Sequence, residues 1–281
     1  MNIFDWVSAD ASYISFLLVD LAAIFCLVAA MRWISRLIVR PTGKRSDATN
    51  IETAAAVVAL MIAITGVTAG AFSISLMSEW LIVTGYGVLA MILLRLGAWL
   101  QDKLVLPALN LNLAAQGGNT AAAIMTGAHL IGTAIVIRSA MQWTSQDADL
   151  GFAALVFGFV IAQGLLALET RLRLIWTSGK LLTAIAEKKD PSVVKAAAQH
   201  IGAALAISGS AHFASALEYQ FELALVAWLF SSIIFLLVYL ALAELCVRFI
   251  LPKGEAIEGG RPILEGAVYL GWGFILPALA S

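Results

Sequence analysis

Apolar runs of about twenty residues recur along the whole of this 281-residue chain, and that recurrence leaves few folds open to it. A run of that length crosses the hydrocarbon layer once as an α-helix. Strands of a transmembrane barrel would instead alternate polar and apolar residues over roughly 10 positions. The chain is 61% hydrophobic and 12% charged. Surface-to-volume scaling gives a water-soluble domain no way to hide so much apolar surface, whereas lipid solvates it. The sequence therefore predicts an all-α, polytopic transmembrane bundle. Its spans are expected near Ile14–Ile38, Thr53–Leu76, Glu79–Gln101, Asn119–Trp143, Leu150–Trp176, Val193–Ala216, Glu222–Ile250 and Gly260–Ala280. Spans two and three are divided by little more than Ser78 and Glu79, and spans six and seven by 217–221, which reads as two tight outer turns.

Charge sets the expected orientation. All but two of the 17 basic residues fall on one side of these spans. Arg32, Arg36, Arg40, Lys44 and Arg45 close span one, and Lys103 follows span three. Arg171, Arg173, Lys180, Lys188, Lys189 and Lys195 flank the junction of spans five and six, as Arg248, Lys253 and Arg261 flank that of seven and eight. The exceptions are Arg95, inside span three, and Arg138, toward the opposite face. The positive-inside rule puts the basic side in the cytoplasm and both termini outside. Asp5, Asp10, Glu79, Asp147, Glu218 and Glu222 gather on the outer side, with Trp6 and Trp80 at one boundary and Trp33, Trp99 and Trp176 at the other. Met1–Asp10 carries no Lys or Arg, unlike the start of a signal peptide, so span one is expected to be kept. The net charge of -1 argues against a nucleic-acid binder. Cys26 and Cys246 both lie inside apolar runs and read as core residues, not as a disulfide or a metal pair.

The two halves match each other. Ile64-Thr65-Gly66 matches Ile207-Ser208-Gly209, Leu104-Val105-Leu106-Pro107 matches Phe249-Ile250-Leu251-Pro252, and Gly127-Ala128 with Gly132 matches Gly266-Ala267 with Gly271. The turns 41–44 and 177–180, and Gly117-Gly118 with Gly259-Gly260, follow the same order. Shifts near ~140 residues imply two four-span units, 1–145 and 146–281. An even number of spans per unit makes these parallel repeats. Even-numbered spans are rich in small residues, such as Ala54-Ala55-Ala56, Ala121-Ala122-Ala123, Gly127 and Gly132, and are expected to pack at the centre, with bulkier odd spans facing lipid.

Asn119-Thr120-Ala121-Ala122-Ala123, followed by Met125-Thr126-Gly127-Ala128, resembles the signature of the YjfL-like bacterial inner-membrane family, which carries domain of unknown function 350. Asn50-Ile51-Glu52-Thr53-Ala54-Ala55 resembles it again at span two. The second half departs from it, with Lys195-Ala196-Ala197-Ala198 at span six and Arg261-Pro262 at span eight. The resemblance implies two tandem four-span units in a bacterial inner membrane. It marks Asn119, Thr120, Ala121, Ala122, Gly127 and Gly132 as packing residues, carries over no catalytic residue or cofactor, and implies a role in envelope maintenance or membrane stress.

Ionisable groups inside spans are the default functional candidates, because their burial in lipid is costly. Asp20, Arg95, His129, His212 and Glu265 are the candidates for an intramembrane proton or cation path. His129 and His212 stand out because imidazole titrates near neutral pH and both fall in small-residue spans. Glu169 and Glu244, near span ends, are expected to snorkel outward like Arg95. His200 and His212 would lie roughly 120° apart on one helix, a poor metal pair. The Gly-Lys pairs at 43–44 and 179–180 lack the earlier glycine of a phosphate loop. No metal or cofactor site and no enzymatic motif emerges. The expected partners are the bilayer, a homo-oligomer, and a cytoplasmic protein docking on the 178–191 loop, which reads as a helical projection at the membrane surface. Two functions fit: a non-catalytic component of envelope maintenance, or a channel or transporter for a proton, cation or small solute.

Overall fold

The computed structural model describes residues 11–38, 46–68, 74–106, 109–144, 148–177, 179–188, 190–215, 221–251 and 260–280. Asp5, Trp6, Asp10, the turn at 41–44, Asp147, Ser178, Lys189, the turn at 217–220, Lys253 and Gly259 lie outside the described residues. The helices are α1 Ala11–Ile38, α2 Asp47–Thr68, α3 Leu76–Leu100, α4 Leu111–Gln116, α5 Thr120–Thr144, α6 Ala148–Trp176, α7 Lys180–Ala186, α8 Asp190–Gly209, α9 Ala211–Ser215, α10 Phe221–Phe249 and α11 Arg261–Ala280. A π-helical turn, Gln101–Val105, extends α3. Among the described residues, seven helices (α1, α2, α3, α5, α6, α10 and α11) are long and apolar enough to cross a membrane. Helix α8 stands where a further span was expected and has 20 residues, but Asp190, Lys195, Gln199 and His200 make it the more polar one.

Two of the boundaries that differ from the sequence expectation do so for a local reason. Ser75 and Ser78 form a capping box, so α3 starts at Leu76 instead of at Glu79. At the other place, Ser210 Oγ donates to Ile207 O at 2.7 Å and bonds Ser232 Oγ of α10 at 2.7 Å. This breaks the sixth segment after Gly209 and leaves α9 as a separate turn.

The small-residue helices α2, α5, α8 and α11 pack side by side in that order. They run parallel in a constant register. Arg138 reaches Thr65 73 residues away, His129 reaches His200 at a separation of 71, Thr120 reaches Asp190 at 70 and Ser139 reaches Ser208 at 69. Glycine makes the spacing possible. A Cβ on Gly66 would lie 2.9 Å from Met141 Cβ, one on Gly127 2.9 Å from Ala55 Cβ, and one on Gly273 2.8 Å from Gly202 O. Small residues let helix backbones approach closely where lipid supplies no hydrophobic drive for helix pairing. The remaining long helices flank this row, and Phe25, Leu81, Ile92, Phe230, Ile234 and Leu237 on α1, α3 and α10 are left exposed.

The buried apolar residues fall into two separate cores. The larger includes Leu60, Ile64, Ile137, Met141, Leu155, Phe159 and Trp228. The smaller, at the end where α2, α5, α8 and α11 begin, gathers Val105, Leu106, Leu111, Ala121, Ala122, Ala123, Met125, Leu181, Ile185 and Val193. That end carries most of the described basic residues and is called the basic end below. Helix α7 is not the surface projection expected of 178–191. Its Leu181, Ala184 and Ile185 are buried in the smaller core, while Lys180, Glu187 and Lys188 stay at the surface. Asn119 ties the region together: its Oδ1 accepts from Ala122 N at 3.0 Å, capping α5, and its Nδ2 donates to Ile185 O at 2.9 Å. Thr120 Oγ1 donates to Asp190 Oδ1 at 3.1 Å, fastening α5 to the start of α8.

Candidate functional site

A polar layer built from α3, α5, α6 and α8 separates the two cores. On α5 the smaller core ends at Met125 and the larger resumes at Leu130; Thr126 and His129 lie between. On α8, Gln199 and His200 fall between Ala196 and Ala203. Helix α6 supplies Gln163, Glu169, Thr170 and Arg173, and the end of α3 supplies Gly97 O and Gln101; all five of these side chains are buried. His129 lies nine residues into α5 and His200 ten into α8. At ~1.5 Å per residue both sit roughly 14 Å from the basic end, near the middle of a layer ~30 Å thick.

His129 Nδ1 lies 3.1 Å from His200 Nε2, and His129 Nε2 lies 3.0 Å from Gly97 O. His200 Nδ1 is 3.4 Å from Thr170 Oγ1 and 3.7 Å from Glu169 Oε2. Thr170 Oγ1 donates to Glu169 Oε2 at 3.3 Å. Gln163 Nε2 donates to Thr133 Oγ1 at 2.8 Å, beside His129. Arg173 pairs with Glu169 Oε1 and donates to Ala196 O at 2.8 Å, so it grips α6 and α8 together. Gly132 is what admits the second ring: a Cβ there would meet His200 Cδ2 at 3.2 Å.

These contacts fix the proton positions. A carbonyl only accepts, so His129 Nε2 carries the hydrogen toward Gly97 O. In a neutral ring the other nitrogen then accepts. His200 Nε2–H donates to it, and His200 Nδ1 is left to share the single Thr170 hydroxyl hydrogen with Glu169 Oε2. One further proton on the pair would place an N–H on His200 Nδ1, facing the Glu169 carboxylate. Thr170 would then turn its hydroxyl wholly to Glu169. The layer can therefore take up one proton without leaving a donor facing a donor.

Of the sequence candidates, only His129 belongs to this layer. His212 is exposed on α9, beyond the Ser210 break, and its ring meets Phe213 at 6.1 Å. Glu265 is buried among Lys195 and Arg261, 2.9 Å from the latter's Nε. Asp20 is buried on α1 within hydrogen-bonding reach of Glu79 on α3. Arg95 is exposed, with Glu52 in electrostatic range. Glu244 is half-exposed, paired with Arg248 and accepting from Tyr269 at 2.7 Å. Glu169, expected to snorkel, is instead 1% exposed, because Arg173 one turn on follows it inward. His200, Arg173, Thr170 and Gln163 were not singled out from sequence as site residues. The usable signal was the Glu-x-x-x-Arg pair inside a span and the 71-residue separation of the two histidines.

The family model of the Domain of Unknown Function DUF350 matches residues 75–162. That stretch is under a third of the chain and runs from the cap of α3 into α6. It includes Gly97, His129 and Thr133, while Gln163, Glu169, Arg173 and His200 lie beyond it. No curated protein and no solved structure matches the chain. The chain is thus a multi-pass membrane protein, similar over this stretch to a family of unknown function.

Proposed function

We propose that this chain is a proton-coupled membrane protein, a channel or transporter in which the His129–His200 pair takes up and releases a proton midway through the bundle. One observation carries the reading: two hydrogen-bonded imidazoles, buried at mid-depth, with a carboxylate at 3.7 Å placed to face the added N–H. Ionisable groups inside a membrane mark ion and proton pathways more often than they serve packing alone. The reading includes two parallel four-helix repeats, 1–145 and 146–281, with both termini outside a bacterial inner membrane. The packing of α2 on α5 and of α8 on α11, both parallel and glycine-mediated, supports that pairing. It also takes the protein as non-catalytic.

The second reading is a non-catalytic organiser of envelope maintenance, self-associating or docking a cytoplasmic partner near Glu187 and Lys188. The family likeness and the tight glycine packing of the central row favour it. Purified protein in liposomes with an internal pH dye separates the two. The proton reading expects dissipation of an imposed pH gradient that His129→Gln and His200→Gln each reduce at least tenfold. Wild-type protein no faster than empty vesicles overturns it and leaves the organiser.

A further inference from the structure

Two polar groups in the layer are buried and have no partner among the described residues: Gln101 Nε2 and Thr126 Oγ1. Both residues are 2% exposed. Their places on their helices turn both inward. Gly97 of α3 packs on Thr133 and accepts from His129, so α3 and α5 face each other there. Gln101 is one turn nearer the basic end than Gly97, turned by about 40° on α3. Thr126 is two turns nearer that end than Thr133, turned by about 20° on α5. By helical phase both side chains point inward on the basic side of the His129–Gly97 contact, where the π-helical turn also packs on α6. Beyond them, Val105, Leu106 and Met125 of the smaller core close that side with apolar groups. A buried amide and a buried hydroxyl with nothing to bond are costly, and internal water is the usual remedy where two or more polar groups converge.

We infer that Gln101 and Thr126 form a binding site for an internal water molecule beside His129. The water accepts from the Gln101 amide and bonds the Thr126 hydroxyl, which leaves it a hydrogen and a lone pair for exchange with the His129–Gly97 contact. The π-helical turn assists: its wider coil begins at Gln101, whose own carbonyl is taken by Leu106 N at 2.9 Å. That this water hands protons to the histidines rests on the proton-coupled reading; its presence does not.

Solid-state NMR on the 15N-histidine-labelled protein in liposomes tests the site by measuring water-to-imidazole proton magnetisation transfer. The site expects a transfer signal at His129 several times stronger than at His200. Gln101→Met with Thr126→Val, nearly isosteric, should reduce it at least fivefold with both ring tautomers unchanged, and Thr126→Ser should retain it. If the double variant does not fold, Thr126→Val against Thr126→Ser gives the same comparison. No transfer at His129 in the wild type, or full transfer in the variants, overturns the site. Transfer without proton flux across the liposome would sink the transport reading and leave the water site standing.

Discussion

The Glu169–Arg173 pair gives the sharpest test of the buried layer. Both side chains are almost wholly excluded from solvent, and among the described residues Arg173 keeps Ala196 O as its acceptor if the carboxylate's charge is lost. Glu169→Gln therefore leaves a buried guanidinium facing neutral acceptors alone, the new amide oxygen and Ala196 O, and turns an amide NH2 toward Thr170 where it had an acceptor. Breaking a buried pair from one side costs about 3–5 kcal/mol, whereas replacing both partners together is often close to neutral. Arg173→Met alone strands the carboxylate with Thr170 as its remaining donor and should cost a similar amount. The double variant Glu169→Gln, Arg173→Met should cost about 1–2 kcal/mol, for the lost hydrogen bonds and imperfect packing. A coupling of at least ~3 kcal/mol should then appear in a double-mutant cycle. Reversible unfolding in mixed micelles, titrated with SDS and followed by tryptophan fluorescence, reads the three costs. Single costs that add to within ~0.5 kcal/mol would show two independently solvated charges and refute the buried pair.

The neutral histidine pair should show one tautomer set, with hydrogen on Nε2 of both His129 and His200; 15N shifts placing it on Nδ1 of either would contradict the geometry at Gly97 O. Gly202→Ala puts a Cβ 2.7 Å from Tyr269 O, and by overpacking should cost about 1–3 kcal/mol in the same unfolding assay. Gly164→Ala on α6 meets nothing within 4 Å and should instead stabilise, by up to ~1 kcal/mol from helix propensity. Asn119→Ala loses the α5 cap and the bond to Ile185 O; about 1–2 kcal/mol of stability and faster hydrogen exchange in α7 should follow.

Much of the bundle was legible because lipid makes the hydrophobic pattern literal: a span needs length and apolarity, and most of the expected spans show both. The small-residue stripes also told which helices would touch, since only glycine and alanine allow such approach. Boundaries went astray where a few polar atoms decide them, as at the Ser75 cap and the Ser210 break. Helix α7 was misjudged because Leu181, Ala184 and Ile185 look the same whether they meet lipid or a protein core. The histidine layer was half hidden for a different reason. Hydropathy scores Glu169 and Arg173 as two penalties near a span end, while in three dimensions they neutralise each other across one turn. His200 sits in the least apolar long segment, and its partner lies 71 residues away. That distance, and the similar ones between Thr120 and Asp190 and between Ser139 and Ser208, is half the ~140-residue shift of the sequence repeat. Along the central row, the interval that organises contacts is one hairpin.

The division of the apolar interior into two cores also bears on how the protein comes apart. A single continuous core melts as one, whereas segments joined mainly through hydrogen bonds can open separately. The smaller core unites the π-helical turn, α4, α7 and the first turns of α5 and α8. Its boundary with the rest is a plane of imidazole, amide and carboxylate contacts. That plane is a natural line of sub-global opening: the basic end should exchange its amide hydrogens as one cooperative unit, ahead of the glycine-packed row above it.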